Sequence, residues 1–124
     1  MKQYRRSERV RSQMLRDVQS LLEPECAANL NAMVTFTDVK VSDDLRYATI
    51  YYSVLGGDDA KKKASEYLGR ERPRIQSRMG RLLSIRHTPE IKFKFDPTIE
   101  RGIRIQKLLD DISQSDGDED RSNV

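Results

Sequence analysis

The stretch MVTFTDVKVSDDLRYATIYYSVL, residues 33–55, fixes the reading of the fold. Its second half alternates: Ala48, Ile50, Tyr52 and Val54 share one side, and Tyr47, Thr49, Tyr51 and Ser53 the other. A period of two in β-branched and aromatic residues marks a strand with one buried face. Val39 and Val41 alternate in the same way against Asp38 and Lys40, so residues 33–41 also read as a strand. Ser42-Asp43-Asp44 is turn chemistry, because short polar side chains bond the reversing backbone. The spacing predicts an antiparallel hairpin.

Upstream, residues 5–22 read as a helix with Val10, Met14, Val18, Leu21 and Leu22 on its apolar side, Ser7 as N-cap and Pro24 as its stop. Downstream, Gly56-Gly57 breaks the strand, and Asp58 or Asp59 caps a helix over residues 60–68. Gly69 and Pro73 interrupt the pattern, which resumes from Arg74 to Ile85 with Ile75, Met79, Leu82 and Leu83 as its apolar face. Either one kinked helix or two helices with a sharp joint fits. Ile91, Phe93 and Phe95 alternate with Lys92 and Lys94 as a third strand, ended by Asp96-Pro97. Ile99, Ile103, Leu108, Leu109 and Ile112 suggest a short segment packing back on the core. The order is α-β-β-α-α-β, an α+β domain with a three-stranded sheet and helices on one face. It matches the type II KH-like order of RNA-binding modules. The expected domain covers residues 1–112, followed by a disordered acidic tail, 113–124.

Composition excludes several classes. With 36% hydrophobic and 35% charged residues, the core must be thin and the surface charged. The single cysteine, Cys26, has no disulfide partner and no neighbour at metal-ligand spacing, which favours a reducing compartment. No signal-peptide pattern and no apolar run of about 20 residues occurs, so a soluble cytoplasmic protein without membrane contact is expected. His87, the lone histidine, has no nucleophile or metal motif beside it. Asp43-Asp44 and Asp58-Asp59 lack the other ligands of a calcium loop. No phosphate-binding glycine loop or nucleophile elbow is present. The chain therefore reads as a non-enzyme, a monomer with no cofactor, no metal and no small-molecule substrate.

The net charge of +3 conceals segregation. Residues 23–60 carry two Lys/Arg against seven acids, whereas residues 61–107 carry fourteen against five. A local positive field draws a polyanion. At about 100° per residue, Arg74, Arg78 and Arg81 fall within roughly 60° of one another, beside the apolar face. Arg70 and Arg72 extend that stripe, and no acid interrupts it between Glu71 and Glu90. Guanidinium suits phosphate because it is a planar, permanently charged fork of donors. A helix start at Pro73-Arg74 would add free backbone N–H groups. A plain solvated helix face is the alternative. Arg5, Arg6 and Arg9 open the first helix, where cations oppose its dipole. Arg86 follows the basic helix, and Lys92 and Lys94 share one face of the third strand, extending a basic surface or guarding an edge. Tyr47 and Tyr51 suit base stacking or plain coverage of apolar surface.

Four segments, in order, resemble the ribosome-binding factor A family of bacterial small-subunit assembly factors: Arg6-Ser7-Glu8-Arg9-Val10; Val39-Lys40-Val41-Ser42-Asp43-Asp44-Leu45 leading to Ala48, Ile50, Tyr51 and Ser53; Arg86-His87-Thr88-Pro89-Glu90-Ile91 with Phe93 and Asp96; and Gly102-Ile103-Arg104-Ile105 with Leu108-Leu109. The resemblance implies a type II KH-like fold. It implies binding of immature 30S subunits through 16S rRNA or its precursor, support for rRNA end maturation, release before translation, and help with growth in the cold. It breaks at the kink: where the family carries Ala-x-Gly, this chain has Glu71-Arg72-Pro73. A protein–protein adaptor docking through the sheet, or a general RNA chaperone without ribosome preference, are the alternatives.

Overall fold

Helices cover one face of a three-stranded sheet in the computed structural model, which describes residues 2–83 and 85–97. The order is α1 (Lys2–Asp17), a π-helical turn (Val18–Leu22), α2 (Glu23–Leu30), β1 (Met33–Val41), β2 (Tyr47–Leu55), α3 (Asp58–Leu83) and β3 (Glu90–Phe95). The hairpin forms as expected: β1 pairs antiparallel with β2. Strand β3 lies parallel to β2, with α3 as the crossover, so β2 is central. The segment expected to pack back after β3, the Gly102–Ile105 motif and the acidic tail lie outside the described residues.

Burial follows the alternation except at Ser53, which is buried on the other face. Ala48, Ile50, Tyr52 and Val54 of β2 meet Val34, Phe36 and Val39 of β1 and Ile91 of β3 under the helices. Phe36 and Val39 share a face although they are three residues apart. A bulge allows this: the register passes from Phe36 opposite Tyr52 to Asp38 opposite Tyr51, with Thr37 the extra residue.

The first helix differs from expectation at both ends. Ser7 is no cap; it is buried within α1, which begins at Lys2. Pro24 does not end the helical run but sits in the first turn of α2, where its missing N–H is tolerated. Val10, Met14, Val18, Leu22 and Cys26 are all buried at a strict spacing of four. In an α-helix that spacing drifts about 40° per step. The π turn, closed by Glu23 N–H onto the Val18 carbonyl, widens the winding and keeps the stripe facing the sheet. Asn31 then stops α2 in the left-handed conformation (φ 49°).

The basic region is one helix, not two. α3 runs through Gly69 and Pro73 for 26 residues. Ala64, Tyr67 and Leu68 before the proline and Ile75 and Met79 after it bury one continuous face. The donor that Pro73 lacks would have served the Gly69 carbonyl, and both residues are exposed, where water can replace it. Glu71, Arg72 and Pro73 are thus helix interior, and the helix start expected at Pro73-Arg74 does not exist. Leu82 is 44% exposed rather than core, whereas Leu83 and Ile85 pack at the core's margin.

Helix side chains cap both sheet edges. Gln19 donates to the Phe36 carbonyl (3.0 Å), and Glu23 accepts from Phe36 N–H (2.8 Å). On the other edge Gln76 donates to the Pro89 carbonyl (2.6 Å) and accepts from Ile91 N–H (2.7 Å). Such capping blocks strand addition at those residues.

Candidate nucleic-acid interface

The stripe of arginines expected on α3 is split. Arg72 and Arg74 are two residues apart, so they point about 160° apart on the helix. Arg72 turns toward β3, half-buried, and donates to the Ile91 carbonyl (3.5 Å). With Lys92 it lines a groove of about 600 Å³ between α3 and β3. Arg74 turns the other way, toward α2.

There Glu25 waits. Its carboxylate accepts from Arg74, from Arg78 Nη1 (3.2 Å) and from the Tyr67 hydroxyl (3.3 Å). Arg74 also donates Nε to Glu71 (2.7 Å). The expectation of an uncompensated row is therefore corrected. A carboxylate from α2, 49 residues from Arg74 in sequence, pairs with two of its members. The hydrogen bond to Glu71 and the Glu25 charge together raise the pKa of Arg74 above its ordinary value, against some desolvation. Burial, then Glu25, pushes the Tyr67 phenol up. Burial first, then Glu25 and Glu23, pushes the Cys26 thiol up to about 11, which leaves it an unreactive thiol. Arg70 is exposed, 3.8 Å from Glu71 and 5.7 Å above the Tyr67 ring centroid.

Four expected arginines lie elsewhere. Arg6, Arg9, Arg81 and Arg86 are exposed, and no ion pair or hydrogen bond joins them to another described residue. Arg81 occupies the last turn of α3, where a cation suits the helix dipole. Arg6 and Arg9, with Arg16, rim a recess of about 610 Å³ where α1 meets the end of α3. Arg6 and Arg86 line an adjoining recess of about 590 Å³ with Arg46 and His87. Arg6, Leu45 and Ile85 belong to both. Arg5 falls in α1, but its side chain lies outside the described residues. Lys92 and Lys94 are exposed on the sheet face opposite the helices, in register with Thr49 and Tyr51, and Lys40 Nζ sits 5.6 Å from the Tyr51 ring centroid. Tyr47 on that face is 57% exposed.

Sequence reasoning missed Glu25, Arg16 and Arg46. Glu25 is separated from its partners' helix by two strands, so no local pattern could reveal it. Among the described residues no group of three or more His, Cys, Asp or Glu is placed to hold a metal, and no helix is long and apolar enough to cross a membrane.

The family model described as "Ribosome-binding factor A" matches residues 6–109. The chain belongs to the ribosome-binding factor A family. It is 40% identical over 117 residues to ribosome-binding factor A of Geobacter metallireducens, covering 94% of this chain and 99% of that one. The crystal structure of the Thermus thermophilus factor aligns with a TM-score of 0.59 at 18% identity, over 71% of this chain and 93% of that one. A homology model of the Thermus thermophilus factor, fitted into a cryo-electron-microscopy map of its complex with the 30S subunit, aligns with a TM-score of 0.51 at 18% identity, over 68% of this chain and 93% of that one. At that identity the likeness speaks for the fold, which is KH-like.

Proposed function

We propose that this member of the family binds immature 30S subunits in the cytoplasm through 16S rRNA and supports late maturation and end processing of that rRNA. The observation that carries the reading is the convergence of Arg6, Arg9 and Arg86, exposed and without carboxylate partners among the described residues, at one end of the molecule. Phosphate answers such a cluster by charge and geometry. Arg81 is a further exposed arginine, in the last turn of α3. Arg5 precedes it in α1, and Lys92 and Lys94 offer a second, weaker surface on the sheet. Arg70, Arg72, Arg74 and Arg78 carry partners within the fold and contribute less. The Thermus thermophilus factor fitted on a 30S subunit supports the choice of partner.

Phosphate contacts position a protein and carry no base sequence. Selectivity then comes from rRNA shape. A factor of this kind alters rRNA folding only by preferring one conformer, held while other regions mature. The protein acts as a monomer of one domain, residues 1–112, with the acidic residues 113–124 outside the binding unit. Depleting the protein tests the reading: unprocessed small-subunit rRNA should accumulate, and normal rRNA ends in depleted cells would contradict it.

A further inference from the structure

We infer that the recess between α1, the end of α3 and the β1–β2 turn takes an unpaired nucleotide of the RNA, its base on an apolar floor and its phosphates on the guanidinium rim. The inference rests on the RNA-binding reading and adds to it a site with a defined ligand. The floor is Val10, Leu45, Leu83 and Ile85; the rim is Arg6, Arg9 and Arg16, with Glu8, 3.9 Å from Arg11, among them. A phosphate alone has no use for the floor, and an apolar peptide has none for the rim. A nucleotide has both parts, and about 610 Å³ falls within the size range of small-molecule sites. Unstacked bases splayed from folded RNA are what proteins read most readily.

The turn that supplies Leu45 is held firmly. Leu45 N–H bonds the Ser42 carbonyl (2.9 Å), and Asp44 accepts from the Ser42 hydroxyl (2.7 Å) and Arg46 N–H (3.1 Å). Leu45 itself sits at φ 62°, a conformation that leucine rarely adopts and asparagine adopts readily. Its side chain nevertheless packs at the core's margin beside Ile85. The Leu45→Asn exchange therefore takes one of the four apolar side chains from the floor while relaxing the backbone.

The test uses the full chain and two short RNA duplexes, one fully paired and one with a single unpaired 2-aminopurine. The protein should bind the second about tenfold tighter, through burial of the base on aliphatic surface, with a change in 2-aminopurine fluorescence. Leu45→Asn, melting as a folded protein, should lose that preference and the fluorescence change while keeping its salt dependence. Equal affinity of the unaltered protein for both duplexes, with silent fluorescence, overturns the nucleotide site and leaves RNA binding standing. Failure to bind either duplex at low salt overturns both.

Discussion

Glu25 governs how much of the charge on α3 is left for a ligand. Two guanidiniums and a phenol converge on it, and its side chain is 23% exposed against 43% for Arg74 and 33% for Arg78. Partly exposed pairs are screened, so the link stabilises by about 1 kcal/mol rather than the several expected of a buried one. Glu25→Gln should lower the melting temperature by a few degrees and raise affinity for small subunits at low salt, because Arg78 loses its carboxylate and Arg74 keeps only Glu71. A thermal melt beside a binding titration checks both; a fall in affinity would mean that Glu25 orients those arginines for RNA rather than withholding them. Cys26 offers a second test. Its thiol binds a proton more tightly when folded, so its contribution to stability is present below the ordinary thiol value of 9.0 and is lost as pH rises toward about 11. Native protein at pH 8 should react with a thiol reagent only at the rate of unfolding. Fast native reaction would contradict the burial.

At the scale of elements, legibility depended on whether the signal was local. The hairpin could be read because its period, its turn and its partner strand are adjacent in sequence. The bulge at Thr37 could not, since the backbone groups of Phe36 beside it are bonded by Gln19 of the π turn and Glu23 of α2, not by neighbours in sequence. Two prolines misled for a shared reason. Local sterics make proline a helix breaker, yet Pro24 falls just past a π turn that has already broken the regular ladder, and Pro73 is exposed on a helix anchored on both sides of it. Two glycines of α3 separate propensity from packing. A Cβ at Gly69 would meet nothing within 4 Å, so Gly69→Ala should stabilise by up to about 1 kcal/mol. A Cβ at Gly80 would lie 2.5 Å from Thr88 Oγ1, on a short branched side chain with little freedom to retreat. Gly80→Ala should therefore gain nothing and should lower the melting temperature. Equal shifts for the two variants in a thermal melt would contradict this account of the contact between α3 and the 85–88 loop.

Across the whole molecule, the sequence pattern revealed that the charge was segregated but not where it would remain unanswered. Helical spacing placed Arg74, Arg78 and Arg81 together, and tertiary packing then gave the first two a carboxylate from α2. Arg6 and Arg9, one turn apart on α1, meet the distant Arg86 at the end where α1, the loop after α3 and the β1–β2 turn converge. No periodicity could bring Arg86 to the other two, because that approach is made by topology. The central claim is that this end grips rRNA phosphates. Its most direct test is the dependence of small-subunit binding on salt, comparing Arg6→Gln/Arg9→Gln/Arg86→Gln with Arg74→Gln/Arg78→Gln. The account predicts that the triple variant weakens binding and flattens the plot of log affinity against log salt by about two to three, with the double variant near the unaltered slope. An unchanged slope in the triple variant, or a larger loss in the double, would contradict it.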